Sequence, residues 1–291
     1  MKVLKFGGSS LGTPERIRGV KEIIKGQSLP CIVVVSAFEG VTDSLLRIAE
    51  LASRGNSDYK AELDKLIDIH RNFAKALLSD PDDLNNASDH IEVISNELGE
   101  IFRGFFLLRE STKHALDQVL AVGERISSLI ISLFLDDSIL KDSRELIKTE
   151  GKPGNSVVDF KATNQLIKAA FEKTNKLTVL PGFIASNHNG DTTTLGRGGS
   201  DYTAAIVAAA LKAEVLEIWK DVDGFMTADP RKVEKAYTIE NLSYSEAMEL
   251  SHFGAKVIYT PTLRPVFREN IPVLVKNTFN PEGKGTLINN K

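Results

Sequence analysis

Two glycine-rich turns, far apart in the chain, carry the residue types that bind anions. One is Leu195-Gly196-Arg197-Gly198-Gly199-Ser200-Asp201, which runs directly into the Ala-rich stretch Tyr202 to Leu211. Ser200 or Asp201 can cap a helix there, and Ala205, Ala208 and Ala209 give it a smooth, closely packing face. The first N–H groups of such a helix lack backbone partners and sit at the positive end of its dipole, which attracts phosphate or carboxylate. The glycines let the backbone itself approach the anion, and Arg197 adds a planar fork of donors. Taken alone, the segment also reads as an ordinary joint between loop and helix.

The second turn is Lys2-Val3-Leu4-Lys5-Phe6-Gly7-Gly8-Ser9-Ser10. Val3, Leu4 and Phe6 read as a short buried strand that the glycines end. Thr13-Pro14-Glu15-Arg16 then opens a helix, with Thr as cap and Pro in the first turn. Strand, glycine turn and helix, with a lysine just before the glycines, is the layout of nucleotide sites built from backbone N–H groups. No Gly-x-x-x-x-Gly-Lys-Ser/Thr occurs, so it is not a Walker motif. By itself Lys5 reads as an exposed strand-end lysine. Beside two glycines and the later turn, it reads as a phosphate ligand.

A third constellation runs from Trp219 through Lys220-Asp221-Val222-Asp223-Gly224-Phe225-Met226 to Asp229-Pro230-Arg231, after an expected strand. Open α/β sheets bind ligands beyond the carboxyl ends of their strands, where such acids could organise hydrated magnesium or hydrogen-bond a nucleotide. A calcium EF-hand is excluded, because Gly224 arrives too early and Lys232 stands where the closing glutamate belongs. A hairpin with an Asp-Gly turn is the alternative, and Asp229-Pro230-Arg231 can likewise be only a turn. Glu124 sits in an apolar helical run, where a carboxylate is costly without a cationic partner. It either faces solvent at a bend made by Gly123 or binds an ammonium group. Lys256, after Phe253-Gly254-Ala255, is either a solvated helix cap or a phosphate contact. The histidines at 70, 90, 114, 188 and 252 show no metal-ligand spacing, and His70 and His114 are expected on helix faces. The protein-kinase signatures are not present.

The elements that must hold these residues alternate, which argues for an α/β fold with a mainly parallel sheet between helical layers. Strands are expected at Val3 to Phe6, Ile32 to Ser36, Glu145 to Thr149, Leu177 to Ala185, Val215 to Trp219 and Pro272 to Lys276. Helices are expected at Pro14 to Lys25, Thr42 to Arg54, Asp159 to Lys173, Asp201 to Lys212, Tyr244 to Phe253 and Pro261 to Glu269. The Ser243-x-x-Glu246 capping box marks one start. From about 57 to 137 the pattern instead predicts three long helices with no strand, a helical insertion in the α/β body.

The 291 residues suffice for a large core, and 42% apolar with 26% charged residues is ordinary for a globular chain. A net charge of −3 gives no electrostatic case for nucleic acid or an anionic membrane. The single cysteine, Cys31, lies in an apolar run and predicts a buried thiol, with neither a disulfide nor a cysteine metal site. No signal-peptide pattern or spanning apolar run occurs, so a cytoplasmic location is expected.

In order along the chain, Lys5-Phe-Gly-Gly-Ser-Ser, Val34-Val-Ser36-Ala, Gly196-Arg-Gly-Gly-Ser-Asp201-Tyr-Thr-Ala, Trp219-x-Asp221-Val-Asp-Gly224, Thr227-Ala-Asp-Pro-Arg231 and Phe253-Gly-Ala-Lys256 resemble aspartate kinase, of the amino-acid kinase superfamily. The helical insertion and the run from Glu246 to Lys256 look most like the kinase part of bifunctional aspartokinase–homoserine dehydrogenases. The resemblance implies a three-layer αβα sandwich with residues 1–176 binding the amino acid and 177–291 the nucleotide. It implies phosphoryl transfer from ATP, with magnesium bridging the phosphates, to the side chain of L-aspartate. Another amino acid or carboxylate acceptor on the same fold is the alternative. A carboxylate acceptor is already ionised at pH 7 and needs no general base, so catalysis rests on positioning and charge neutralisation. The roles implied are Lys5 on the transferring phosphoryl group, with Gly7, Gly8 and Ser9 around the phosphates and Asp201 orienting Lys5. Arg197 would clamp a substrate carboxylate, with Ser200, Thr42 and Ser36 nearby, and Glu124 would take the ammonium. Lys220, Asp221, Met226, Arg231 and Lys256 would line the nucleotide pocket. Two positions depart from the pattern, which usually has Thr at Lys220 and Tyr at Met226. The chain also stops where relatives continue into ACT domains, which reads as a kinase-domain fragment or an unregulated form. A monomer, a homodimer or a fused homoserine dehydrogenase are the arrangements this leaves open.

Overall fold

Side-chain alternation along three central strands organises the whole fold. Val3, Ile32, Val34, Leu216 and Ile218 join one apolar cluster, whereas Leu4, Phe6, Cys31, Val33 and Val35 join another. Each strand is therefore buried on both faces, as a parallel sheet between helical layers requires. The structure is a computed structural model that describes all residues except Pro153, Pro230, Arg231, Ala255, Lys256 and Lys291, and the side chains of Thr260 and Pro261.

The main sheet contains β1 (Lys2–Phe6), β2 (Cys31–Val35), β3 (Ile139–Leu140), β6 (Thr178–Pro181), β9 (Val215–Lys220), β10 (Asn241–Ser243), β11 (Val273–Asn277) and β12 (Thr286–Asn289). Their order is β10-β12-β11-β9-β1-β2-β6-β3, parallel everywhere except at the β11–β12 pair. A smaller sheet, ordered β5-β4-β7-β8, uses β4 (Lys148–Lys152), β5 (Asn155–Val158), β7 (Ile184–Asn187) and β8 (Thr192–Thr194). Both sheets draw strands from either side of residue 177, so neither is confined to segment 1–176 or segment 177–291.

One helical layer holds α1 (Pro14–Lys25), α2 (Val41–Ser53), α3 (Tyr59–Leu77), α4 (Pro81–Leu108), α5 (Lys113–Leu120) and α6 (Val122–Phe134). The other holds α7 (Ser143–Leu146), α8 (Phe160–Phe171), α9 (Gly199–Leu211), α10 (Tyr244–His252) and α11 (Arg264–Arg268). Thr13 caps α1 through the Arg16 amide, and the Ser243–Glu246 capping box is complete. Cys31 is buried, as expected. Among the described residues no helix is long and apolar enough to cross a membrane.

Several expectations are corrected. The insertion has four helices, because the third expected helix divides at Ala121 into α5 and α6. The strand expected from Leu177 to Ala185 is two strands in different sheets. Phe183, at φ 66, turns the chain between them, held by Thr203 Oγ1, which accepts from the Phe183 amide at 3.0 Å. The strand expected from Glu145 starts later, because Asp142 caps the short α7 through the Arg144 amide. The helix expected at 261–269 is a 3-10 turn, Thr260–Leu263, followed by the short α11. Strands β3, β5, β8, β10 and β12 escaped the sequence because they are short and lack a distinct apolar run.

His70 lies on the inner face of α3, fully buried, with Nδ1 2.8 Å from the Leu66 carbonyl and Nε2 unpartnered. Burial, which the Leu66 contact only partly offsets, pushes its pKa from 6.5 down to about 4. The unfolded chain takes up a proton below 6.5 that the folded chain refuses until about 4. Stability is therefore lost as pH falls through that window, by up to about 3 kcal/mol. Urea unfolding of wild type and His70→Leu at pH 7.5 and pH 4 checks this: the wild type should lose more stability between them, by about that amount.

Candidate active site

The parallel strands end at one edge, where Phe6 pairs with both Val35 and Trp219, and Val35 with Pro181. Alternation aims Lys5 at the face that α9 covers. Lys5 pairs with Ile218, and Lys220 lies two residues further along β9, so it shares that face. Above them α9 begins at Gly199, not at Asp201. Its N-cap is Gly198 at φ 71, a conformation that suits glycine, and no side chain caps it. Ser200 and Asp201 thus fall in the first turn instead of capping it. This frees the Asp201 carboxylate to point inward.

That carboxylate is only 4% exposed. Lys5 Nζ forms an ion pair with Oδ1 at 2.8 Å, and Lys220 Nζ donates to Oδ2 at 3.1 Å. Burial works against the charge of Asp201, but Lys5 and Lys220 overcome it and hold the pKa near about 2. For Lys5, burial lowers the pKa more strongly than Asp201 raises it, and Lys220 lowers it further. Two ammonium groups around one carboxylate leave an excess positive charge beneath the glycine turn.

Glu124, in the first turn of α6, is a second buried acid of this region. It does not face solvent: it is 3% exposed, and Oε2 has no partner. Burial drives its pKa up to about 8, offset only partly by the Ala37 amide, its own amide and the charge of Lys5. Gly123 makes no solvent-facing bend. A Cβ there would stand 2.7 Å from Ala37 Cβ and 3.0 Å from Val41 Cγ1, so its bareness lets α6 press against the loop after β2. Ser127 Oγ, which donates to the Ser36 carbonyl at 2.8 Å, and the stacking of Phe38 on Phe73 at 4.1 Å fasten that loop to the helical layer.

Lys5, Asp201, Lys220 and Glu124 thus form one electrostatically coupled group, with Gly7 against it, since a Cβ on Gly7 would lie 3.4 Å from Lys5 Nζ. The expected role of the Gly7 amide needs correction: it donates to the Trp219 carbonyl at 3.3 Å, which ties the turn to β9. Gly8 instead opens a 3-10 turn, Gly8–Leu11, whose first N–H groups have no partner within it. Ser9 is half-buried in that turn, and its carbonyl accepts from Arg16 at 2.9 Å. Ser200 is buried against Gly182, and Thr42 is half-buried in the first turn of α2. Arg197 is exposed just ahead of α9, at the same end as Asp201, with its guanidinium over the Tyr259 ring at 5.6 Å.

Beyond the end of β9, Asp221 is exposed, and Met226 bridges to Thr238 as part of a paired loop. Asp223 Oδ1 accepts from Asn277 and Asn280, so it is structural. Arg231 and Lys256 lie outside the described residues. Sequence reasoning missed the Lys220–Asp201 pair, although Leu216, Ile218 and Lys220 repeat at the strand period. It also missed the trio Glu150, Asp159 and His188, which meets on the smaller sheet. His188 Nε2 lies 3.3 Å from Asp159 Oδ2, and Asp159 also caps α8, which reads as a surface polar contact.

Residues 1–277 match the model of the amino acid kinase family. The chain is 37% identical over 98% of its length to the chloroplastic bifunctional aspartokinase/homoserine dehydrogenase 1 of Zea mays, covering 32% of that protein. It is 34% identical over 99% of its length to the lysine-sensitive aspartokinase 3 of Escherichia coli, covering 64%. The crystal structure of E. coli aspartokinase III with aspartate and ADP superposes with a TM-score of 0.89 at 32% identity, over 100% of this chain and 65% of that one. The chain therefore spans about a third of the bifunctional relative and under two thirds of the others.

Gly123→Ala tests the close approach that seats Glu124. The added methyl must push α6 off Ala37 and Val41, at a cost of about 1–3 kcal/mol. Thermal or urea unfolding reads that cost, and no change would mean the loop yields freely.

Proposed function

The chain belongs to the amino acid kinase family, and we propose that it is an aspartate kinase. A side-chain carboxylate oxygen of L-aspartate attacks the γ-phosphorus of ATP, taken as its magnesium complex. The bond from that phosphorus to the bridging oxygen breaks, and ADP leaves with the electron pair. The product is 4-phospho-L-aspartate. The observation that carries this reading is the coupled group itself, a buried excess of ammonium charge beside a buried carboxylate oxygen with no partner. The first suits a phosphoryl group and the second an ammonium, and an α-amino acid substrate supplies the latter.

The obstacle is repulsion between an anionic acceptor and a triphosphate, so the residues act by placing charge. Lys5 neutralises the transferring group, with the Gly8 amide as a further donor. Asp201 holds Lys5 in place. The exposed fork of Arg197 takes the substrate α-carboxylate, with Ser200, Thr42 and Ser36 beside it. Ser9, Lys220, Asp221 and Met226 border the nucleotide, and the proposal extends to Arg231 and Lys256. The division proposed is residues 1–176 chiefly for the amino acid and 177–291 chiefly for the nucleotide, with Lys5, Gly8 and Ser9 reaching the phosphates from the first and Arg197 and Ser200 reaching the substrate carboxylate from the second. The setting proposed is cytoplasmic synthesis of lysine, threonine and methionine, as a homodimer or fused to homoserine dehydrogenase, of which the bifunctional relatives support the fused arrangement.

ADP release measured with a panel of amino and acylamino acids tests the assignment. Aspartate alone should support turnover, and hydroxylamine should trap its acyl phosphate. Turnover confined to another carboxylate would replace the assignment. Lys5→Ala should reduce turnover by about a thousandfold or more while the protein stays folded by circular dichroism.

Glu124→Gln should raise the KM for aspartate far more than that for ATP. In the free protein Glu124 is protonated below its raised pKa of about 8. Its ionised form, which pairs with the ammonium, grows as pH rises through that value. Aspartate affinity should therefore improve between pH 6.5 and 8.5 in wild type, and this rise should vanish in Glu124→Gln. Equal shifts in both substrates' KM would assign Glu124 elsewhere.

A further inference from the structure

Asp201 holds one more cation than a simple orienting role for Lys5 requires. Its two oxygens are divided between two lysines on adjacent strands, Lys5 on Oδ1 and Lys220 on Oδ2. The lysines are not equivalent. The Lys5 side chain is 7% exposed and deep, whereas that of Lys220 is 21% exposed, at the end of β9. The Trp219 carbonyl, next to Lys220, holds the glycine turn through the Gly7 amide. Lys220 therefore stands on the strand that also anchors the phosphate turn.

A buried carboxylate that loses its partner is strongly unfavourable. With Lys5 alone, Asp201 would resist any movement of that ammonium toward an incoming phosphoryl group. With Lys220 on its second oxygen, the carboxylate stays compensated while Lys5 shifts. We propose that Lys220 is a positioning residue for phosphoryl transfer, the standing counter-ion of Asp201 that releases Lys5 to the γ-phosphate. This rests on the kinase reading and goes beyond a nucleotide contact for Lys220. The titratable groups that face Lys5 are Asp201 from α9, Lys220 from β9 and Glu124 from α6. Lys220 is the one like charge among them, so it weakens the hold of Asp201 on Lys5 directly as well.

Two measurements on the intact chain test this. The first follows the Lys5 ammonium by nitrogen-15 NMR in nucleotide-free protein, wild type against Lys220→Met. Removing the neighbouring positive charge should move the Lys5 titration to higher pH; an unmoved titration would overturn the coupling. The second is steady-state kinetics. Lys220→Met should lower kcat about tenfold or more with both KM values within about threefold, and Lys220→Arg should recover most of the loss. The alkaline limb of the kcat profile should also shift upward in Lys220→Met. An unchanged kcat with a raised KM for ATP and an unmoved limb would overturn the proposal and leave Lys220 as a nucleotide contact. Absence of aspartate-dependent turnover in wild type would defeat the kinase reading separately, and the NMR titration still decides whether Lys220 governs Lys5.

Discussion

A carboxylate buried in the first turn of a helix must be matched by cations, and much of this molecule is arranged around that demand. Asp201 meets it with Lys5 and Lys220, delivered by neighbouring parallel strands whose register puts both on the face beneath α9. Ala204, Ala205, Ala208 and Ala210 of α9 are buried without bulk, which lets the helix lie close to the sheet. Gly198 then starts the helix early enough for Asp201 to face inward. Propensity, register and close approach all serve one ionic contact.

The helical insertion has a definite part in this arrangement. It supplies Glu124 and grips the loop after β2 through Gly123, Ser127 and the Phe38–Phe73 stack. An α/β body of this kind places ligands at the carboxyl ends of its strands, and here its own buried acid, Asp201, is already taken up by two lysines. The added layer brings a further acid, Glu124, held uncharged at neutral pH by burial, and in the proposed function it ionises beside the substrate ammonium. The same layer keeps His70 neutral in its interior. Burial thus sets the protonation of both groups, with a binding consequence in one case and a stability consequence in the other.

Kinship with the amino acid kinases and the geometry of the site are separate lines of support. The family match and the superposition on E. coli aspartokinase III place the fold. The orphaned Glu124 oxygen and the excess ammonium charge belong to this chain's own coordinates. Lys220 is where they diverge most usefully: as a departure from the resembled pattern it predicted an altered nucleotide contact, and in the structure it holds Asp201.

What the residues alone determined was the type of each long element and the chemistry of the turns. Apolar runs such as Cys31 to Val35 can only be interior strands, the Ser243–Glu246 box can only open a helix, and glycine next to lysine or arginine invites an anion. These are local properties, set by period and backbone freedom within a few residues. The tertiary structure decided which side chains meet. The distribution of Asp201's oxygens between two lysines, the diversion of the Gly7 amide to Trp219, the division of the expected strand at Phe183 and the burial of Glu124 all depend on register and packing between segments remote in sequence. A strand's alternation says that Lys5 and Lys220 share faces with their own neighbours. Only the pairing of β1 with β9 says that they share one with each other.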